Sequence, residues 1–226
     1  MILAVIADVH SNVFALQAAI EELKKYSPDK FVFLGDIVGV GAFPEETVRL
    51  ARKVENAVFV RGNHDLMAYS GESPYKKDDV RGKMTAWQFK ALSKASKAFL
   101  SEFPEVVSFD AEGKKVVCMH YPKSSNGWFK IPKLFPSENE IKEIFDGVSG
   151  DVVLFGHEHS GSFHEIDGRH FINFGTCGNF LSPNAARCGI VEISAEKVVY
   201  KSINAYYDDR YARERREEIL NILSKI

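Results

Sequence analysis

The chain has 226 residues and no Pro/Gly/Ser-rich stretch divides it, so one domain spanning 1–226 is expected. Its 29 basic and 31 acidic residues nearly cancel, which excludes non-specific nucleic-acid binding through an extended basic surface. No run approaches the ~20 apolar residues of a membrane span. No leader is visible at the N-terminus, and Cys118, Cys177 and Cys188 lack CxxC spacing, so a cytoplasmic protein with reduced thiols is expected.

Residues 2–7 (ILAVIA) form an apolar run too short for a helix, and this strand stops at Asp8. Asn12 is placed to cap the helix FALQAAIEELKKY, where Phe14, Ala18 and Leu23 fall at helical spacing, and Pro28 and Asp29 end it. KFVFLGD (30–36) repeats the pattern of an apolar run closing on an aspartate. PEETVRLARKV (44–54) is a second helix opened by Pro44, and AVFVRGNHD (57–65) is a third apolar run with a polar end. Strands alternating with helices predict βαβ units and a mostly parallel sheet. Ligands of such sheets sit beyond the carboxyl ends of the strands.

MTAWQFKALSKASKAFLSEF (84–103) reads as one amphipathic helix that turns Trp87 and Phe89 toward the core. Strands follow over 106–110 and 114–120, the second ending at His120. A loop rich in Pro, Gly and aromatic residues (121–136) leads to a helix from Ser137. The strand Val152–Phe155 then runs into Gly156-His157-Glu158-His159. SFHEI and RHFINF make a hairpin around Asp167-Gly168, and RCGIVEIS and KVVYKSI (187–203) meet at a short turn. YYDDRYARERREEILNILSKI is a charged terminal helix that reads most simply as a solvated face with i,i+4 pairs, with burial of Ile219, Ile222, Leu223 and Ile226 against a second subunit as the alternative; monomer and homodimer both fit. The second half adds antiparallel strands, and two packed sheets with helices outside accommodate both halves.

Side chains two apart on an extended segment point the same way, so His157 and His159 aim at one spot. Other strand ends offer Asp8-Val9-His10, Gly35-Asp36, Gly62-Asn63-His64-Asp65 and His120. Two carboxylates, an amide and four imidazoles, with His64 to spare, are mixed N/O donors without thiolate. Such a set suits Mn, Fe, Zn, Ni or Co. A carboxylate among them can bridge two cations about 3.5–4 Å apart.

The order D-x-H, G-D, G-N-H-D, a lone His and G-H-x-H resembles the calcineurin-like metallophosphoesterases, from Asp8 to the strands after Arg187. DVHSN, GDIVGVGAFPEETVRL and NFGTCG are similar to the small prokaryotic phosphodiesterase branch. The resemblance implies an α/β fold, a four-layer αββα sandwich of two mixed β-sheets flanked by helices. It implies that Asp8, His10 and His159 hold one divalent metal and Asn63, His120 and His157 another, with Asp36 bridging; manganese is the first expectation. His64 falls on the general acid. The implied reaction is hydrolysis of small phosphodiesters or phosphomonoesters, nucleotides among them, by a water or hydroxide held between the metals. GDIVGVG and GNHD depart from the GDxVDRG and GNHE of protein Ser/Thr phosphatases, so phosphoproteins are not the expected substrates. Two alternatives stand beside this reading: a dinucleoside polyphosphate hydrolase, and a non-catalytic scaffold on the same fold.

Several neighbours carry two readings. Asp65 is adjacent to His64 and a candidate to orient it. Arg187 opens a strand near the site, to contact phosphate or to form a surface salt bridge. Trp128 and Phe129 either stack on a substrate ring or pack over the metals. His164 and His170 read as ordinary hairpin residues, Cys118 and Cys177 as buried apolar fillers, and Glu158 as a variable position.

Overall fold

The computed structural model describes residues 1–179 and 184–225. Three apolar runs form the parallel strands β1 (Ile2–Ile6), β2 (Lys30–Phe33) and β3 (Ala57–Phe59). The long strands β9 (Ala185–Ile193) and β10 (Val198–Tyr206) extend that sheet, β9 pairing antiparallel with β1, to give the order β10-β9-β1-β2-β3. The last antiparallel strands therefore complete the first sheet. The second sheet contains β4 (Val106–Ala111), β5 (Lys114–Met119), β6 (Val152–Phe155), β7 (Ser162–Ile166) and β8 (Arg169–Asn173) in the order β4-β5-β6-β8-β7. Asp167 and Gly168 both have positive φ, 53° and 76°, as the two-residue hairpin turn between β7 and β8 requires.

The period-2 alternation of the strands builds the layers. Leu3, Val5 and Ala7 face the other sheet and pack with Val116, Cys118, Val152, Leu154 and Ile172. Ala4 and Ile6 face outward onto Ala15, Leu16, Ala19 and Leu23 of α1 (Val13–Lys24). On the far side, Val153, Phe155 and Phe171 pack with Ile141 and Phe145 at α6 (Glu138–Ile144). The result is the expected four-layer αββα sandwich of two five-stranded mixed sheets. Cys118, Cys177 and Cys188 are all buried. Among the described residues, no helix is long and apolar enough to cross a membrane.

The helices depart from the sequence reading in three places. The single helix expected over 84–103 is two, α4 (Val80–Ala91) and α5 (Lys94–Ser101). Leu92 and Ser93 are extended between them, and the Ser93 hydroxyl caps α5 by accepting from the Ser96 amide at 3.1 Å. A helix not anticipated, α3 (Asn63–Ser70), starts within the GNHD motif. α2 (Pro44–Ala51) opens at Pro44 as expected, but the terminal helix α7 (Arg210–Leu223) starts four residues late because Tyr206 ends β10. Ile219 and Leu223 are buried in the same chain against Met84 and Trp87 of α4, whereas Ile222 is exposed. Ile226 lies outside the described residues.

Candidate metal centre

Five strands from two sheets end at one place. Asp8 and His10 follow β1, Asp36 follows β2, Asn63 follows β3, His120 follows β5, and His157 and His159 follow β6. The chain turns sharply there: Asp8, His10, Asp36 and His157 all have left-handed φ, at 55°, 51°, 53° and 69°. Such a conformation costs roughly 1 kcal/mol or more per non-glycine residue and persists only where surrounding bonds fix it. Here the Asp8 amide donates to Gly35 O (3.1 Å), the His10 amide to Asp36 O (2.9 Å) and the His157 amide to Asp8 Oδ2 (3.0 Å). A Cβ at Gly62 would collide with the Asp36 carboxylate, so the glycine of GNHD lets β2 and α3 meet.

The ligand atoms fall into overlapping sets, Asp8–His10–His159, His10–Asp36–His64 and Asp36–His120–His157, and within each set they lie within 4.8 Å of one another. His10 Nε2 is 3.0 Å from His159 Nε2, and Asp8 Oδ1 is 3.5 Å from His159 Nε2. His120 Nε2 is 3.1 Å from both Asn63 Oδ1 and His157 Nδ1. Asp36 Oδ2 sits between the groups, 3.5 Å from His120 Nε2 and 4.0 Å from His10 Nε2. All seven sequence-predicted ligands thus converge, and His64 stands with them.

The donor set fits cations. His120 Nδ1 donates to Leu34 O at 2.7 Å, which leaves Nε2 as a lone pair facing the Asn63 oxygen. A cation between that lone pair and the Asn63 side-chain oxygen would satisfy both. His10 Nδ1 is buried with no hydrogen-bond partner. Burial pushes the His120 imidazole down to about 3 and His64 to about 4, with His157 adding to both, and burial also lowers His10 and His157. These rings are neutral at pH 7. Burial opposes both shifts at the other carboxylate–imidazole pair, but mutual attraction prevails: Asp8 is held below and His159 above its ordinary range. Burial, with Asp65 and Asp8 nearby, pushes Asp36 well up. A divalent cation reverses that pressure by favouring ionised Asp36, and neutral imidazoles are the form that binds it.

The neighbours sort differently from expectation. Asp65 does not orient the His64 ring; its carboxylate accepts from the amides of Asp36 (2.8 Å), Gly62 (3.0 Å) and Val38 (3.2 Å). Among the described residues Arg187 has no ion-pair partner: its Nη1 donates to Ser160 O (2.7 Å) and His159 O (3.4 Å), beneath Gly175, and it braces the loop carrying His159. Phe129 packs edge-on against His120 at 5.3 Å between ring centroids, while Trp128, the residue before it, is half-buried. Glu158 is fully buried and accepts from the Ser162 hydroxyl at 2.8 Å, tying the ligand loop to β7.

Sequence reasoning missed two features. Gln88, buried on α4, accepts from Ser11 Oγ (2.9 Å) and donates to Gly41 O (2.7 Å), so it ties the DVHS loop to the GVG loop. A cleft of about 340 Å³ opens beside the centre, with His64 and Asn179 at its inner end and neither Trp128 nor Arg187 in its wall. The Asn179 amide contacts His159 Nδ1 at 2.9 Å. No local motif marks the cleft, because its wall is drawn from α3, α4 and α7.

The chain is similar to known proteins in both sequence and fold. It is 35% identical over 158 residues to the uncharacterized protein MJ0912 of Methanocaldococcus jannaschii, a match covering 70% of this chain and 62% of that relative's length. Its fold resembles the crystal structure of hypothetical protein PH1004 from Pyrococcus horikoshii OT3, with TM-score 0.82, 19% identity, and 98% and 97% of the two chains covered. It also resembles a metallophosphoesterase from Sphaerobacter thermophilus, with TM-score 0.73, 21% identity, and 99% and 98% covered. Residues 1–196 match the model of the calcineurin-like phosphoesterase superfamily domain. The buried His/Asp clusters at the strand ends and this match give one conclusion: the chain belongs to the calcineurin-like phosphoesterase superfamily.

Proposed function

We propose that this chain is a phosphoesterase that holds two divalent cations and cleaves small phosphodiesters or phosphomonoesters. The observation that carries the reading is the position of Asp36. Its Oδ1 accepts from the His64 amide at 2.8 Å, and its Oδ2 is left between His10 and His120. One carboxylate oxygen thus serves both halves of the centre. Asp8, His10 and His159 would hold one cation and Asn63, His120 and His157 the other, with Asp36 shared. Two such cations, when bound, supply Lewis acidity toward phosphoryl oxygens and toward an attacking water. Manganese suits the all-N/O donors, as do Fe, Zn, Ni and Co.

His64 has the position of a general acid. Its ring rests against Gly39, stands edge-on to His10 at 5.2 Å between centroids, and lies where the centre meets the cleft. It is neutral in the free protein, with its value near 4, and an anionic ester beside it favours its protonation. As water adds to phosphorus and the bond to the leaving oxygen breaks, that oxygen takes its proton from His64. A non-catalytic scaffold would be expected to lack ligands or this acid, and every position is filled.

The test is a metal-by-substrate screen. Protein stripped with a chelator and reloaded with Mn, Fe, Zn, Ni or Co is assayed on monoesters, diesters, cyclic nucleotides and dinucleoside polyphosphates. The reading expects metal-dependent hydrolysis of at least one phosphoester. Inactivity with every metal would overturn it.

A further inference from the structure

The cleft beside His64 has a chemistry of its own. Its walls are apolar at Met67 and Ala68 of α3, Met84 of α4 and Leu220 of α7. Tyr75 lies on the α3–α4 connection, with the Arg81 guanidinium 5.6 Å from its ring centroid. Arg216 enters from α7; its Nε donates to Val40 O at 3.2 Å and its Nη1 pairs with the exposed Glu217 at 3.0 Å. Among the described residues that line the cleft there are two guanidiniums and no carboxylate, in a protein whose net charge is -2. The α7 wall lies beyond residue 196, where the family match ends.

Position decides what such a cleft receives. A general acid protonates the leaving oxygen, and His64 forms the boundary between centre and cleft. The leaving half of the substrate must then extend past His64 into the cleft. A volume of about 340 Å³ is at the lower end of small-molecule sites, enough for a nucleoside-sized body and too small for a protein segment. Apolar walls with an aromatic ring suit a flat heterocycle, and guanidiniums suit a phosphate through charge-assisted, bidentate bonds.

We propose that the cleft between α3, α4 and α7 selects a leaving half that is itself a nucleotide, its ring on the Met67–Met84–Leu220 wall and its phosphate met by Arg81 and Arg216. The inference rests on the phosphoesterase reading for its orientation, but its binding chemistry is testable apart from turnover.

Calorimetry on manganese-loaded protein with three probes provides that test: adenosine monophosphate, adenosine and inorganic phosphate. Inorganic phosphate reports the metal centre, and adenosine reports the apolar wall. The nucleotide should bind at least about tenfold more tightly than adenosine. Arg81→Ala and Arg216→Ala should each weaken the nucleotide about tenfold while changing adenosine and inorganic phosphate less than about threefold. Arg216→Lys should recover part of the loss. Should Arg216→Ala fold poorly, Arg81→Ala decides alone, because Arg81 is an exposed side chain. Equal binding of nucleotide and adenosine by the unaltered protein would overturn the proposal. So would a parallel loss of nucleotide and inorganic phosphate in the variants. Arginine-dependent nucleotide binding without hydrolysis in the metal screen would sink the phosphoesterase reading and leave the nucleotide site standing. Hydrolysis without it would do the reverse.

Discussion

The carboxylate of Asp65 accepts a hydrogen bond from the main-chain amide of Asp36 at 2.8 Å, although the two residues lie on successive βα turns. With the Gly62 and Val38 amides on the same carboxylate, one buried side chain ties the GD and GNHD loops into a rigid floor. Asp65→Ala strands three main-chain donors. At roughly 1–3 kcal/mol for each unsatisfied buried donor, we expect a loss of at least about 3 kcal/mol, and Asp65→Asn should lose less. Urea unfolding of the two variants checks this; a change below about 1 kcal/mol for Asp65→Ala would show that the loops are fixed by other means.

His64 is separable from the ligands beside it. His64→Ala should keep both ions while kcat falls about 10²–10⁴-fold, and the loss should shrink for p-nitrophenyl esters, whose leaving group departs with little help. His157→Ala and His159→Ala should lose metal, and with it activity on every substrate. Metal loss in His64→Ala, or an equal rate loss for good and poor leaving groups, would contradict the general-acid role.

The three thiols give a pH test. Burial pushes Cys118 and Cys188 up to about 12 and raises Cys177 as well. Unfolded thiols ionise near the ordinary value of 9.0, so thiolate is suppressed in the folded chain over pH 7–9. Folding is thus favoured below 9 on this account, and that contribution is lost as pH rises toward 12. Alkylation of native protein should stay slow from pH 7 to 9, whereas in urea all three cysteines should label at a rate that climbs with pH. Rapid labelling of any one in the native state would contradict the buried placement.

The parts of the site that were legible in the sequence are those set by short-range pattern. Each apolar strand breaks into Asp, Asn or His, so the candidate donors could be read before the fold, although left-handed turns at Asp8, His10 and His157 rather than extended two-residue spacing aim them. Three features escaped for physical reasons. The left-handed turns at Asp8, His10, Asp36 and His157 involve no glycine at those positions, and tertiary hydrogen bonds impose them. α3 buries Asp65, Met67 and Ala68 in only eight residues, too short for periodicity to outweigh the strand before it. The break at Leu92 and Ser93 is a capping event inside an otherwise continuous amphipathic pattern. Arg81 and Arg216 are far apart in sequence, so only the packing of α7 on α4 unites them.

Asp36 is the shared residue of the proposed centre, so its loss should differ from that of any one-sided ligand. Asp36→Asn should weaken both ions, because it removes the one charge that faces His10 and His120 together. His120→Ala should mainly weaken the ion on its own side. Competition with a chromogenic chelator measures both steps; an Asp36→Asn protein that loses one ion and holds the other at full affinity would contradict a bridge.

The ion count tests the central claim most directly. Elemental analysis of protein reconstituted with excess Mn²⁺ and freed of unbound metal should approach two ions per chain, as expected for a carboxylate shared between two sites. A stable occupancy of one ion or none would contradict the dinuclear centre.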